Sequence, residues 1–180
     1  MTTPHDKPPV IIVGGGIGGV ATALALGRLG LPVQLLEQAD QIGAIGYGVQ
    51  IGPNVMPALE RLGVGEAARK AAYLPEEILL YEMDSGRKLV DIPLRTPQFQ
   101  ARYQGAPYVA IHRVDFHELL LEACRAYPNI DLNQSTQVVE YRHTADGCGV
   151  ATADGRFVEG AAVIGADALR SRLRLQLHPG

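Results

Sequence analysis

Five of the six residues from Gly14 to Gly19 are glycine, and they directly follow the apolar run Val10–Val13. Gly14, Gly16 and Gly19 satisfy the spacing GxGxxG, which allows a tight turn, a close backbone approach to a pyrophosphate, and close packing of a helix on a strand. With Ile17 and Gly18 they would present unpaired N–H groups at the positive end of a helix, a setting that favours phosphate oxygens. Glu37 stands 23 residues after Gly14, near the offset of about 20 residues at which an acid accepts hydrogen bonds from ribose hydroxyls. Together these residues point to a dinucleotide, and the spacing serves NAD and FAD alike. The alternatives are a glycine-rich turn that binds nothing and a solvated Glu37.

The elements that must position these residues can be read around them. Val10–Val13 reads as a buried parallel strand, Ile17 to Leu29 as a helix stopped by Gly30-Leu31-Pro32, and Val33–Leu36 as a second strand ending at Glu37, a βαβ unit. A loop holding Gly43, Gly46, Gly48 and Gly52 comes next, then a helix from Pro53 or Asn54 through Leu62 with Gly63 as its stop. Glu77 to Met83 and Lys88 to Ile92 flank Asp84-Ser85-Gly86-Arg87 as a hairpin. Pro93 to Pro107 reads as a long loop, Tyr108 to Ile111 as a strand, and Asp115 with Glu118 as a capping-box start to a helix reaching Ala126. From Ile130 strands alternate with turns at Ala145-Asp146-Gly147 and Ala153-Asp154-Gly155, and the strand Ala161 to Ile164 leads into Gly165-Ala166-Asp167. The fold class expected is α/β, a Rossmann-like sheet with an inserted antiparallel meander around the Glu77 to Ile92 hairpin.

The 180 residues are 47% hydrophobic and 19% charged, with a net charge of -3, values of an ordinary folded domain. No block of Lys and Arg offers a nucleic-acid surface. The uncharged stretch Val10 to Gly27 carries too many glycines for a membrane span, so no membrane partner is expected and the cytoplasm is the default location. Cys124 and Cys148 form no metal pattern, and Cys124 falls on an apolar helix stripe. His117-Glu118 begins like HExxH, but Leu119, Leu120 and Leu121 follow, so no metal is expected.

Four ordered stretches resemble the class A FAD-dependent aromatic hydroxylases, and within them the 3-hydroxybenzoate and salicylate hydroxylase branch. They are GGGIGGVATALALGRLGLPVQLLEQA, GYGVQIGPNVMPALERLGV, PYVAIHRVDFHELLLEAC and GADALRSRLR. The resemblance covers the whole chain as the N-terminal part of an FAD-binding domain, with residues from about 74 to 110 contributing to the substrate side. It implies a monooxygenase that hydroxylates a phenolic aromatic acid with FAD as cofactor and NAD(P)H and oxygen as co-substrates. An NAD-dependent dehydrogenase and a non-catalytic truncated module are the alternatives.

The resemblance also implies roles. Arg113 contacts the cofactor, Asp167 binds FAD and Arg174 ends its motif, while the residue type of Asp167 also suits a cap for the next helix. Gly48 and Gln50 lie on the loop beside the flavin, and Tyr108 lines the aromatic-substrate side. Ala168 stands where the family has glycine, and Gln38, a candidate adenine-side contact, stands where a basic residue often follows the acid. No catalytic base can be named. The basic segment Ser171 to Leu177 runs into the terminus without a visible partner, so the C-terminal part of a larger enzyme is expected to be missing and the fragment alone inactive. The assembly is left open, a homodimer among the options.

Overall fold

The computed structural model describes residues 8–42, 46–144 and 147–178. Gly43 of the glycine loop, Ala145 and Asp146 of one expected turn, and Pro179 and Gly180 lie outside the described residues. In chain order the elements are β1 (Val10–Val13), α1 (Ile17–Arg28), β2 (Val33–Leu36), β3 (Gly48–Ile51), α2 (Met56–Arg61), α3 (Gly65–Ala71), β4 (Glu77–Tyr81), β5 (Lys88–Pro93) and α4 (Pro97–Arg102). They continue with β6 (Val109–His112), α5 (Arg113–Arg125), β7 (Ile130–Asn133), β8 (Val138–Thr144), β9 (Gly147–Thr152), β10 (Phe157–Gly160), β11 (Ala162–Gly165) and α6 (Arg172–Leu177). The chain divides into two units, residues 1–45 with 117–180, and residues 46–116.

The first unit is built on a parallel sheet in the order β11-β1-β2-β7. Its two central strands, β1 and β2, are short and largely apolar because both faces are covered: Ile11, Ile12 and Leu35 are fully buried. Helix α1 buries Gly19, Val20, Ala23, Leu24 and Gly27, a stripe at helical spacing. It lies so close to the sheet that a Cβ on Gly27 would sit 2.4 Å from Ile130 Cδ1. The helix stops as expected, with Gly30 at φ +77 and its N–H donating to the Gly27 carbonyl at 2.9 Å. The antiparallel meander β8-β9-β10 belongs to this unit, and Val138 and Val150 join Ile11, Val13, Leu36 and Leu173 in one buried cluster.

The second unit holds two antiparallel pairs, β3 with β6 and the expected hairpin β4 with β5. Tyr73 adds a bridge to Ala110, with N–H···O distances of 2.7 and 2.8 Å. Three expectations change here. The stretch read as a long loop from Pro93 to Pro107 contains α4, because the Thr96 hydroxyl accepts from the Phe99 N–H at 3.2 Å and Pro97 fills the first helical position. The helix expected from Pro53 or Asn54 starts at Met56, and α3 follows it beyond Gly63, which adopts φ +79. Helix α5 begins at Arg113, directly after β6, so Asp115 lies within its first turn and the expected capping box does not form.

Candidate functional site

The glycine turn sits between β1 and α1, and two of its glycines are required by the protein itself. Gly14 has φ +111, and a Cβ there would lie 2.4 Å from the Ala166 carbonyl oxygen. A Cβ on Gly19 would lie 1.9 Å from the carbonyl oxygen of Gly14. Gly16 differs: nothing lies within 4 Å of its Cβ position, nor of that of Gly18. Gly16 is the N-cap of α1, with β-region backbone (φ −73, ψ 178) and no side-chain cap, so the helix start offers its N–H groups outward with Ile17 and Gly18 in the first turn.

Gly14, Gly16, Glu37, Gln38 and Asp167 all line one cavity of about 440 Å³. Glu37 does more than the sequence suggests. Its Oε2 accepts from the Gly15 N–H at 2.6 Å and its Oε1 from the Ala39 N–H at 2.9 Å, so the carboxylate closes the glycine turn onto the end of β2. Each oxygen keeps a further lone pair for another donor. Asp167 has two separate jobs for its two oxygens. Oδ2 accepts from the N–H of Arg172 at 2.8 Å and of Leu173 at 3.4 Å at the start of α6, which is the capping role considered for it. Oδ1 is buried without a hydrogen-bond partner. Ser171 is a helix cap, accepting from the Arg174 N–H at 2.9 Å, and the Arg174 guanidinium donates to the Leu169 carbonyl at 3.0 Å. Ala168 takes φ +62, the left-handed conformation that glycine adopts freely.

In the second unit, Gly48 and Gln50 lie not on the expected loop but on the strand β3, because they pair with His112 and Ala110 of β6. The Tyr108 hydroxyl donates to Gln50 Oε1 at 2.7 Å, so the substrate-side candidate and a cofactor candidate form one pair. Arg113 is exposed; its N–H donates to the Tyr47 carbonyl at 2.9 Å, and its Cδ lies 3.1 Å from the Cβ position of Gly46, where any side chain would crowd it.

Three cavity or turn residues were given no part in the cofactor site by sequence reasoning, His117 having been weighed only as a metal ligand. Arg170 and Arg172 line the cavity beside Asp167 and bring positive charge to it. His117 is 1% exposed and its Nε2 lies 2.6 Å from the Gly15 carbonyl oxygen. The signal for it was present: His117, Leu120, Leu121 and Cys124 share one helical stripe, and all four are buried, so a polar group there needs a partner. Cys124 on the same stripe donates to the Val20 carbonyl at 3.4 Å, and burial pushes its thiol up to about 11, opposed by the charge of Arg125. Among the described residues no cluster of His, Cys, Asp or Glu could hold a metal ion, and no helix is long and apolar enough to cross a membrane.

Residues 7–179 match a family described as the FAD binding domain. The chain belongs to that family. FAD is thus the cofactor of the fold, which decides between the two dinucleotide readings of the glycine turn. The FAD-binding domain is 45% identical over 167 residues to 3-hydroxybenzoate 6-hydroxylase of Klebsiella oxytoca, covering 93% of this chain and 42% of that protein. It is 40% identical over 174 residues to the enzyme of the same name from Polaromonas naphthalenivorans, covering 95% and 43%. The chain therefore spans about two fifths of the length of these relatives. The p-nitrophenol 4-monooxygenase of Pseudomonas putida superposes with a TM-score of 0.83 at 23% identity, over 95% of this chain and 43% of that one, which establishes the Rossmann-like fold.

The residues present fit the cofactor. The orphaned Asp167 Oδ1 lacks a donor, Gly16 leaves open space at an uncapped helix start, and Glu37 retains acceptor capacity. All three belong to the same cavity.

Proposed function

We propose that the FAD-binding domain is the N-terminal part of a monooxygenase that hydroxylates a phenolic aromatic acid of the 3-hydroxybenzoate type, with NAD(P)H and oxygen as co-substrates. The observation that carries this is the 40 to 45% identity, over more than nine tenths of the chain, to two enzymes named 3-hydroxybenzoate 6-hydroxylase.

Bound FAD would supply the redox and oxygen chemistry, and the chain's own residues bind, orient and exclude water. The N–H groups from Gly16 to Gly18 and the cavity arginines receive the pyrophosphate. Glu37 accepts from ribose hydroxyls with the lone pairs its two backbone partners leave free, Gln38 stands on the adenine side, and Asp167 Oδ1 takes a hydroxyl donor from the cofactor. In the second unit Gly48, Gln50 and Arg113 contribute to holding the cofactor. Residues from about 74 to 110 contribute to the substrate side, where the Tyr108 ring offers a face to an aromatic acid while its hydroxyl is oriented by Gln50. A cytoplasmic location completes the reading, with a homodimer one option for its assembly.

The test is oxidation of NADH and NADPH by the intact, FAD-loaded protein, with product analysis, across hydroxybenzoate isomers. Oxidation coupled to formation of a dihydroxybenzoate from 3-hydroxybenzoate is expected. No stimulation by any hydroxybenzoate would overturn the substrate assignment.

A further inference from the structure

Gly15 is held through both of its backbone polar groups, which belong to the two successive peptide units Gly14–Gly15 and Gly15–Gly16. Its N–H donates to Glu37 Oε2 at 2.6 Å, and its carbonyl oxygen lies 2.6 Å from His117 Nε2. A carbonyl can only accept, so Nε2 carries the proton of this bond. His117 sits on the buried stripe of α5 with 1% exposure, where a polar ring without a partner is costly, and this contact gives it one.

The geometry of the peptide turns that contact into a device. The described peptide bonds are all trans, and in a trans peptide the C=O of one residue and the N–H of the next point in opposite directions. With the Gly15 carbonyl drawn into the core toward His117, the Gly16 N–H is aimed the other way, on the residue that lines the cavity and has no neighbour at its Cβ position. We propose that His117 is a positioning residue for FAD: it fixes the Gly15–Gly16 peptide plane so that the Gly16 N–H is presented to the pyrophosphate. The inference rests on the glycine turn being the pyrophosphate site. Without the histidine, the short Gly15–Gly16 link is free to flip its peptide, since glycine tolerates both orientations, and the donor turns away from the ligand.

The test has two parts in the intact protein. The first is the imidazole ¹⁵N spectrum of histidine-labelled apoprotein, with the His117 signal assigned by its loss in His117→Gln. A proton on Nε2 is expected, and a proton on Nδ1 alone would overturn the proposal because such a ring cannot donate to Gly15. The second is FAD affinity by flavin fluorescence for wild type, His117→Leu and His117→Gln. Leucine fills space without donating, and glutamine keeps an N–H donor. We expect affinity to fall at least tenfold in His117→Leu and to return to within about threefold of wild type in His117→Gln. Equal affinity in all three would overturn the positioning role, as would equal weakening in both variants. If His117→Leu does not fold, an affinity for His117→Gln more than tenfold below wild type overturns it instead. Wild-type protein that binds no FAD would overturn the site reading itself, a result distinct from the others.

Discussion

The Glu37 carboxylate accepts the N–H of Gly15, 22 residues earlier in the chain, at 2.6 Å. A residue expected to face a ligand therefore also closes the glycine turn itself. Replacing Glu37 by alanine removes the acceptor of both the Gly15 and Ala39 N–H groups and should destabilise the apoprotein by about 2 kcal/mol as well as weaken FAD. Glutamine keeps one acceptor oxygen and should lose less on both counts. Denaturant unfolding without FAD checks this; an unchanged midpoint in Glu37→Ala would show that water replaces both bonds.

Gly19 is required for the fold rather than the ligand. A Cβ there would meet the Gly14 carbonyl oxygen at 1.9 Å, backbone that cannot yield without opening the turn. Gly19→Ala should cost about 3 kcal/mol or more in stability, read by thermal unfolding or by loss of folded yield. A normal unfolding profile would contradict the close packing of α1 on β1.

Ala168 is held at φ +62, a conformation costing an L-residue about 1 to 2 kcal/mol. Glycine relieves that strain but gains freedom when unfolded. Ala168→Gly should therefore stabilise the protein by a net ~0.5 to 1 kcal/mol, seen as a higher unfolding midpoint. A lower midpoint would show that the Ala168 methyl packs productively.

Burial lifts the Cys124 thiol from its ordinary 9.0 to about 11. Below pH 9 folded and unfolded chains both keep the proton, so nothing changes with pH. Between 9 and 11 only the unfolded chain releases it, and the folded state loses stability as pH rises. The wild type should thus lose stability relative to Cys124→Ala across that interval, and parallel pH curves would contradict the burial.

The βαβ unit was legible in the sequence because periodicity and glycine punctuation agree there: Val10–Val13, Val33–Leu36 and the Gly30 stop lie where the pattern places them. Helix α4 was obscured by the prolines and polar residues around it, although Thr96-Pro97 carries the signature of a helix start. The start of α5 was misplaced because Asp115 and Glu118 imitate a capping box, while β6 passes straight into the helix at Arg113. Within the site, residue types and spacing pointed to Gly14, Gly16 and Glu37 and the family resemblance to Asp167, and all four share one cavity. They could not reveal that Glu37 holds Gly15, that Asp167 divides its oxygens between a cap and the cavity, or that His117 reaches the turn across 102 residues of sequence. Those are pairings made by tertiary structure, to which local periodicity is blind.

Whether the glycine turn holds FAD can be read at Gly16. The protein leaves its Cβ position empty to 4 Å, so a methyl group there can obstruct only a ligand. The measurement is titration of wild-type and Gly16→Ala apoprotein with FAD, followed by flavin fluorescence, with apoprotein unfolding as the control. We expect unfolding to shift by no more than about 1 kcal/mol, while FAD affinity falls at least tenfold, about 1.4 kcal/mol. Identical FAD isotherms for the two proteins would contradict the account and place the cofactor elsewhere.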